Sequence, residues 1–268
     1  MKKHMGIIAA SGKMPSFILD EVKKRGYLSI AAGIKGLVES DIKKNADIFK
    51  SFSLGNVQEF ISFFIENGVK DIIIAGKIDQ RIIYNIDSFK ETSKNLLENI
   101  EDQRAASLIS SVFSFLEKMG LKIIDPTPYL MPYICEEGVL TGGEMSSETE
   151  ADLDFGMKIA RNIADLDIGQ TVIIKNKVVV ALEGIEGTNE TIKRGGTLAG
   201  EGTVVVKVSR SAQDPRIDLP VIGLNTVKSC IKARSSALCF EAGAIPFFQK
   251  EESISVAKKS GLLIIAKK

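Results

Sequence analysis

Apolar residues fall along this chain in two kinds of stretch. Short, mainly apolar runs at 6–10, 28–32, 71–75, 121–125, 171–174, 178–182, 203–208 and 262–266 are the length of strands, and glycine or polar residues bound most of them. Between them lie longer segments whose apolar residues recur every three or four positions, the spacing of a helix with one buried side. In the first half the two kinds alternate. Residues 6–10 form a buried parallel strand, a turn follows at 11–14, and Pro15 suits the first turn of a helix. Phe17, Ile18, Leu19 and Val22 give that helix its apolar side, and Gly26 stops it. A helix over 57–67 buries Phe60, Ile61, Phe64 and Ile65 and feeds the strand at 71–75. Helices at 88–100 and 104–119 precede the strand at 121–125. Such alternation predicts a Rossmann-like parallel α/β domain over 1–125.

Residues 126–146 break the pattern with Pro126, Pro128, Pro132, Gly138, Gly142 and Gly143, and read as an inter-domain linker. Ser147-Glu148-Thr149-Glu150 matches a capping box, so a helix starts there and runs to about Asp165, with Leu153, Met157, Ala160 and Ile163 inward. The pattern then becomes mostly β. Residues 171–174 and 178–182 form a hairpin about Lys175-Asn176-Lys177. Thr188 or Asn189 caps a short helix through Lys193-Arg194. A strand at 203–208, a helix at 224–233, strands near Leu238 and at 245–248, a helix at 251–259 and a strand at 262–266 complete a mixed α/β domain over 147–268. The fold class expected is thus two-domain α/β.

Composition narrows the chemistry. The chain of 268 residues carries a net charge of +1, with no basic excess to argue for nucleic acid as the main ligand. The sole histidine is His4, near the N-terminus, which removes most histidine-based catalysis. Chemistry must rest on carboxylates, Lys, Arg, hydroxyls, backbone groups and a bound metal. Cys135, Cys230 and Cys239 contain no C-x-x-C and read as reduced thiols of a cytoplasmic protein. The N-terminal apolar run is too short for a signal peptide or a span, so any membrane contact is expected to be peripheral.

Four places could carry chemistry. Gly12 stands alone in the first strand-to-helix loop where G-x-G-x-x-G is missing; the loop either offers a helix N-terminus to an anion or simply turns. Lys77 follows the strand 71–75, where ligands gather in open α/β sheets; it is a phosphate or sugar contact or a solvated lysine. The loop from Glu183 to Glu190, with two carboxylates among glycines before Thr188, either holds a divalent cation near phosphate, through Glu186, or is a well-made turn. Finally Gln213-Asp214-Pro215-Arg216-Ile217-Asp218-Leu219-Pro220 follows the strand that carries Lys207. In an extended chain Asp214, Arg216 and Asp218 share a face. Such a row can hold a hard cation, orient water and clamp phosphate. Its bland counterpart is a turn stapled by an Asp–Arg pair.

In order and spacing, these pieces resemble the UDP-2,3-diacylglucosamine pyrophosphatases of the LpxI type, over nearly the whole chain. The resemblance lies in Gly6-Ile7-Ile8-Ala9 with Gly12-x-x-Pro15, Leu54-Gly55, Ala75-Gly76-Lys77-Ile78 and Glu137-Gly138-Val139-Leu140-Thr141. It continues in Asp167-Ile168-Gly169-Gln170, the stretch from Ala181 to Thr188, the stretch from Gln213 to Pro220, and Glu241-Ala242-Gly243. The resemblance implies a lipid A pathway hydrolase that cleaves UDP-2,3-diacylglucosamine to UMP and 2,3-diacylglucosamine 1-phosphate, lipid X. It implies a need for a divalent cation, normally Mg2+, and attack of water on the sugar-side phosphorus. Asp218 matches the family's essential aspartate. The candidate catalytic set is then Asp218, Asp214 and Arg216. Asp218 and Glu186 are the candidate metal ligands, and Gly12, Lys77, Thr188, Lys207 and Gln213 the candidate substrate contacts. The partner expected is the lipid-linked UDP-sugar, reached from the cytoplasm with peripheral contact at the inner membrane surface; a homodimer is left open. Two departures from the family pattern stand out. The first loop has fewer glycines, and Ser51-Phe52-Ser53 stands where a histidine is common before the Leu-Gly pair. Alternatives are a hydrolase of another UDP-sugar and a non-catalytic carrier of the lipid or nucleotide.

Overall fold

The computed structural model describes residues 2–53, 56–77, 113–212, 214–217 and 219–268. Leu54, Gly55, Gln213, Asp218, the helix expected at 88–100 and most of that at 104–119 lie outside the described residues. Two compact units emerge. The first comprises Met1–Leu130 with the segment that begins at Asp214, and the second comprises Met131–Gln213 with Leu219–Lys268.

The first unit is built on a five-stranded sheet of order β3-β2-β1-β4-β5. Its strands are β1 (His4–Ala9), β2 (Leu28–Ile34), β3 (Ile48–Phe52), β4 (Asp71–Ala75) and β5 (Lys122–Ile123), and every pairing is parallel. Parallel strands need crossovers, and helices supply them. Helix α1 (Met14–Lys24) carries Pro15 in its first turn and Lys23 and Lys24 in its last, and buries Ile18, Leu19 and Val22. Helix α2 (Ser40–Asn45) and strand β3 were not legible in the sequence. Helix α3 (Val57–Glu66) turns Phe60, Ile61, Phe63 and Phe64 inward. Ile30, Ala32, Ile34 and Ile72 meet these phenylalanines in one core, with Phe52 stacked on Phe60 at 4.6 Å between ring centroids. Ile65, expected inside, is half exposed instead, and Phe63 takes its place. The sheet order reverses direction between β1 and β4, the switch point at which open α/β sheets receive ligands.

The second unit has a six-stranded sheet of order β6-β11-β10-β9-β7-β8. Strands β9 (Val204–Lys207), β10 (Ala237–Glu241) and β11 (Leu263–Lys267) run parallel. The hairpin of β7 (Thr171–Lys175) and β8 (Val178–Leu182) joins β9 antiparallel, and β6 (Gly138–Val139) joins β11 antiparallel. Helix α4 (Ser147–Asp165) covers one face, and α5 (Thr188–Ala199), α6 (Leu224–Lys232) and α7 (Lys250–Lys259) the other. Alternation along β9 decides where each residue goes: Val204 and Val206 pack under α4, while Val205 packs with the three helices. The N-cap of α4 is Ser146, whose hydroxyl accepts from the Thr149 N–H, one residue before the serine singled out in the sequence. Residues 245–248, expected as a strand, form a turn in which only Pro246 and Phe247 bridge, to Ile134 and Ile222. The stretch 126–146 contains the one-turn helix Thr127–Leu130, a 3-10 turn at Met131–Tyr133 and strand β6, and the boundary between the units falls within it. All three cysteines are free and buried. Burial pushes the thiols of Cys230 and Cys239 up to about 12, so neither offers a thiolate.

The β7–β8 turn shows how a buried carboxylate fixes register. Asn176 and Lys177 both sit at positive φ, the conformation of a two-residue hairpin turn. Their backbone N–H groups donate to the buried Asp152 of α4 at 2.8 and 2.6 Å. Asp152→Ala is expected to lower stability by about 1.5–3 kcal/mol, the range for hydrogen bonds to a charged group. Urea denaturation followed by circular dichroism checks this; an unmoved midpoint would show that water replaces the carboxylate at no cost.

Candidate functional site

In the second unit the parallel strands end on a buried polar cluster. Lys207 closes β9 and, by alternation, lies on the face of Val205, below the start of α5. The antiparallel register sets Thr171 opposite it. Glu183 follows β8 directly, its N–H bonded to the Thr171 carbonyl at 2.8 Å. Gly169 makes this approach feasible: a β-carbon there would lie 2.1 Å from the Glu183 carbonyl oxygen. Lys207, Thr171 and Glu183 are all buried. The Lys207 ammonium donates to the Thr188 hydroxyl at 2.7 Å and stands 3.9 Å from the Glu183 carboxylate. Thr188, first residue of α5, donates onward to Glu183 at 2.9 Å. A buried ammonium needs such partners, since an isolated charge would neutralise or unfold its surroundings. What results is a cation held ready-formed beside a helix N-terminus. Chemically, that combination suits oxygens of a phosphate.

Glu186 takes a different part. Its carboxylate accepts from the Gly184 N–H at 3.1 Å, the Thr191 hydroxyl at 3.3 Å and the Arg194 guanidinium at 2.6 Å. The Arg194 hydrogen bond leads in holding this carboxyl below its usual range. Glu186 thus braces its own loop onto α5. Among the described residues, no three His, Cys, Asp or Glu side chains are gathered as metal ligands. The described residues alone therefore do not make a metal cage.

At the switch point of the first unit, the loops after β1 and β4 lie side by side. Ser11 and Lys77 form an antiparallel bridge, with N–H to carbonyl bonds of 3.2 and 2.9 Å, and the Ser11 hydroxyl also donates to the Lys77 carbonyl. Gly76 is required there: its φ is 95°, and a β-carbon would come within 2.7 Å of the Ser11 carbonyl oxygen. Gly12 and Lys77, named from sequence as separate candidates, are therefore on adjoining loops. Lys13, which precedes α1, is held at 3.2 Å by Asp41.

Residues 214–217 close as a turn rather than extending, so Asp214 and Arg216 do not stand in the one-faced row expected of a strand. The Asp214 carboxylate accepts the Arg216 backbone N–H at 3.0 Å and its guanidinium at 2.8 Å. The Arg216 hydrogen bond, ahead of the opposing effect of burial, holds Asp214 below its usual range. Arg216 lies 5.5 Å from the centre of the Phe113 ring and 3.9 Å from Glu117, and Ile217 packs on the core of the first unit. The physical reason for the turn is local: an aspartate readily bonds the backbone two residues on, and Pro215 pre-sets φ.

Two features escaped the sequence reading. Glu183 was legible only as an acidic residue at a strand end, because its partners lie 5 and 24 positions away in the chain. Arg161 and Glu241, which pair across 80 positions, gave no local signal beyond a polar residue closing an apolar strand.

Comparison with known proteins places the whole chain. The model of the LpxI N-terminal domain matches residues 4–132, and that of the LpxI C-terminal domain residues 136–265. The UDP-2,3-diacylglucosamine pyrophosphatase LpxI of Caulobacter vibrioides is 24% identical over 275 residues, which cover 98% of this chain and 97% of that protein. Among solved structures, the biotin carboxylase domain of a thermophilic 2-oxoglutarate carboxylase bound to ADP is 13% identical, with a TM-score of 0.29 over 63% of this chain and 34% of that one. WbmH of Bordetella bronchiseptica in complex with NAD+ is 16% identical, with a TM-score of 0.28 over 46% of this chain and 54% of that one. Superpositions this loose carry no argument. With both domain models matched in order and almost end to end, the chain belongs to the LpxI family.

Proposed function

We propose that this protein hydrolyses the pyrophosphate bond of UDP-2,3-diacylglucosamine, giving UMP and 2,3-diacylglucosamine 1-phosphate in lipid A biosynthesis. The observation that carries the reading is the end-to-end similarity to the Caulobacter enzyme of that name, across both LpxI domains. The geometry supports it with a buried ammonium, Lys207, beside the hydroxyl of Thr188, a pair fit to steady phosphate oxygens. In the proposed reaction a water oxygen bonds to the sugar-side phosphorus, and the bond from that phosphorus to the bridging oxygen breaks. UMP leaves, and Asp218, the aspartate singled out by the family resemblance, acts either as general base, taking the proton of the attacking water, or as metal ligand, the proton then passing to bulk water. Gly12, Lys77 and Gln213 complete the proposed substrate contacts. Asp214 and Arg216, closed on each other, shape the segment that carries Asp218.

A magnesium requirement belongs to the proposal. Mg2+ of this kind uses one or two carboxylates and fills its shell from phosphate and water, so Asp218 is the residue to hold it, Glu186 being engaged by Arg194. The reaction is proposed to run at the cytoplasmic side. No helix among the described residues is long and apolar enough to cross a membrane, so contact with the inner membrane is proposed as peripheral.

One experiment tests the reading. The purified protein is incubated with UDP-2,3-diacylglucosamine in water enriched in heavy oxygen, with magnesium or with a chelator, and both products are weighed. Heavy oxygen on the lipid phosphate, with turnover lost under chelation and restored by magnesium, is the expected result. Heavy oxygen on UMP would reverse the direction of attack. Binding of the lipid without release of UMP would make the protein a carrier.

A further inference from the structure

In the second unit β8, β9, β10 and β11 all run the same way, since β7 is antiparallel to both β8 and β9. Helix α5 follows β8, α6 follows β9 and α7 follows β10, so all three begin at the carboxyl ends of the strands, on the face of Val205. Their N-caps are Gly187, Gly223 and Gln249, and in none does a cap side chain bond the first turn. The loops before α6 and α7 lie together, the Phe248 N–H donating to the Ile222 carbonyl at 3.0 Å. Each helix start leaves N–H groups without an intrahelical acceptor, and their shared direction favours an anion.

Lys207 closes β9 on that face, but strand geometry continues past it. The Val208 N–H donates to the Gln170 carbonyl at 3.0 Å, on the β7 side. Ser209 turns both of its backbone groups the other way. Its N–H donates to Glu241 at 2.8 Å, and its carbonyl accepts from Arg161, which also donates to Glu241. Alternation therefore holds: Val208 packs in the core under α4, and the Ser209 side chain shares the face of Lys207. Ser209 is only 7% exposed, and its hydroxyl has no hydrogen-bond partner among the described residues. A buried hydroxyl without a partner is uncommon and costs stability. This one sits on a backbone fixed at both its N–H and its carbonyl, beside the buried ammonium and the open helix starts.

We propose that Ser209 is a further substrate-contact residue: its hydroxyl donates to one phosphoryl group of a diphosphate whose other phosphoryl group meets Lys207. The inference rests on the proposed function of Lys207. Residues two apart on a strand stand about 6.5–7 Å from each other, and side chains as different in length as lysine and serine close from there onto neighbouring phosphoryl groups. Rotation about the Cα–Cβ bond carries the Ser209 Oγ between staggered wells, so the hydroxyl meets its acceptor without movement of the backbone.

The test compares wild type, Ser209→Ala and Ser209→Cys. Ser209→Ala is expected to raise KM for UDP-2,3-diacylglucosamine about tenfold or more, the loss of one hydrogen bond to a charged group, with kcat within about threefold. Without ligand its thermal midpoint should equal or exceed that of the wild type, because in the free protein the hydroxyl has no bond to lose. Ser209→Cys, which keeps the shape and a weak donor, should fall between the two in KM. An unchanged KM in Ser209→Ala would overturn the proposal. So would a thermal midpoint well below that of the wild type, since the hydroxyl would then serve the free fold. If the wild type itself releases no UMP, the functional reading fails, and titration calorimetry with inorganic pyrophosphate decides the case of Ser209. Weaker binding by Ser209→Ala than by the wild type retains the contact; equal or absent binding removes it.

Discussion

Lys207→Met is expected to destabilise the second unit by roughly 3–5 kcal/mol, the cost of removing one member of a buried ion pair. Methionine fills nearly the same volume, so the loss is electrostatic rather than a cavity. The Glu183 carboxylate is left facing an apolar chain, and the Thr188 hydroxyl loses the donor now 2.7 Å away. The double variant Lys207→Met, Glu183→Gln should recover most of that stability, because both charges are gone. Its turnover should not recover, since the ammonium proposed to meet phosphate is missing. Chemical denaturation of both single variants and the double, beside UMP release by each, separates the two roles. A double variant that regained activity with its stability would show that the pair holds the fold and does not touch substrate.

Asp218→Ala should cut UMP release by about 10²–10⁴-fold, the range that a positioned general base supplies. Folding should change little, and substrate should still bind, because the proposed substrate contacts lie on other residues. Product release measured beside equilibrium binding of substrate checks both halves of the statement. Turnover at the wild-type rate would remove Asp218 from the mechanism.

Much of the scaffold could be read from the chain because most strands are largely buried and their apolar runs are short and sharply bounded. Asp71–Ala75 and Val178–Leu182 begin and end where the sequence places them. Strand β3, at a sheet edge, failed that test: Ile48, Phe49 and Ser51 are only half-buried and Lys50 is exposed, so no unbroken run marks it. At 245–248 the run is apolar, yet the residues fill the core from a turn; burial, not strand pairing, explains their composition. The site was legible in kind but not in arrangement. Lys207 and Thr188 stood out by type, while the buried carboxylate that unites them, Glu183, depends on register between β7, β8 and β9 that no local pattern encodes. In the Asp214–Arg216 pair, local chemistry won over strand alternation, because an aspartate two residues before an N–H closes its own turn.

The path of the chain between the two units has a consequence for inheritance. Unit one is not a contiguous stretch of sequence: Ile217 enters its core, and Arg216 lies over Phe113 and within 3.9 Å of Glu117. A gene cut after codon 132 would encode the whole matched N-terminal domain and still lack residues that fold into it. Recombination between distant relatives at that junction would therefore separate Phe113 and Glu117 from the arginine they meet. The two domains are bound to be passed on, and to change, as one.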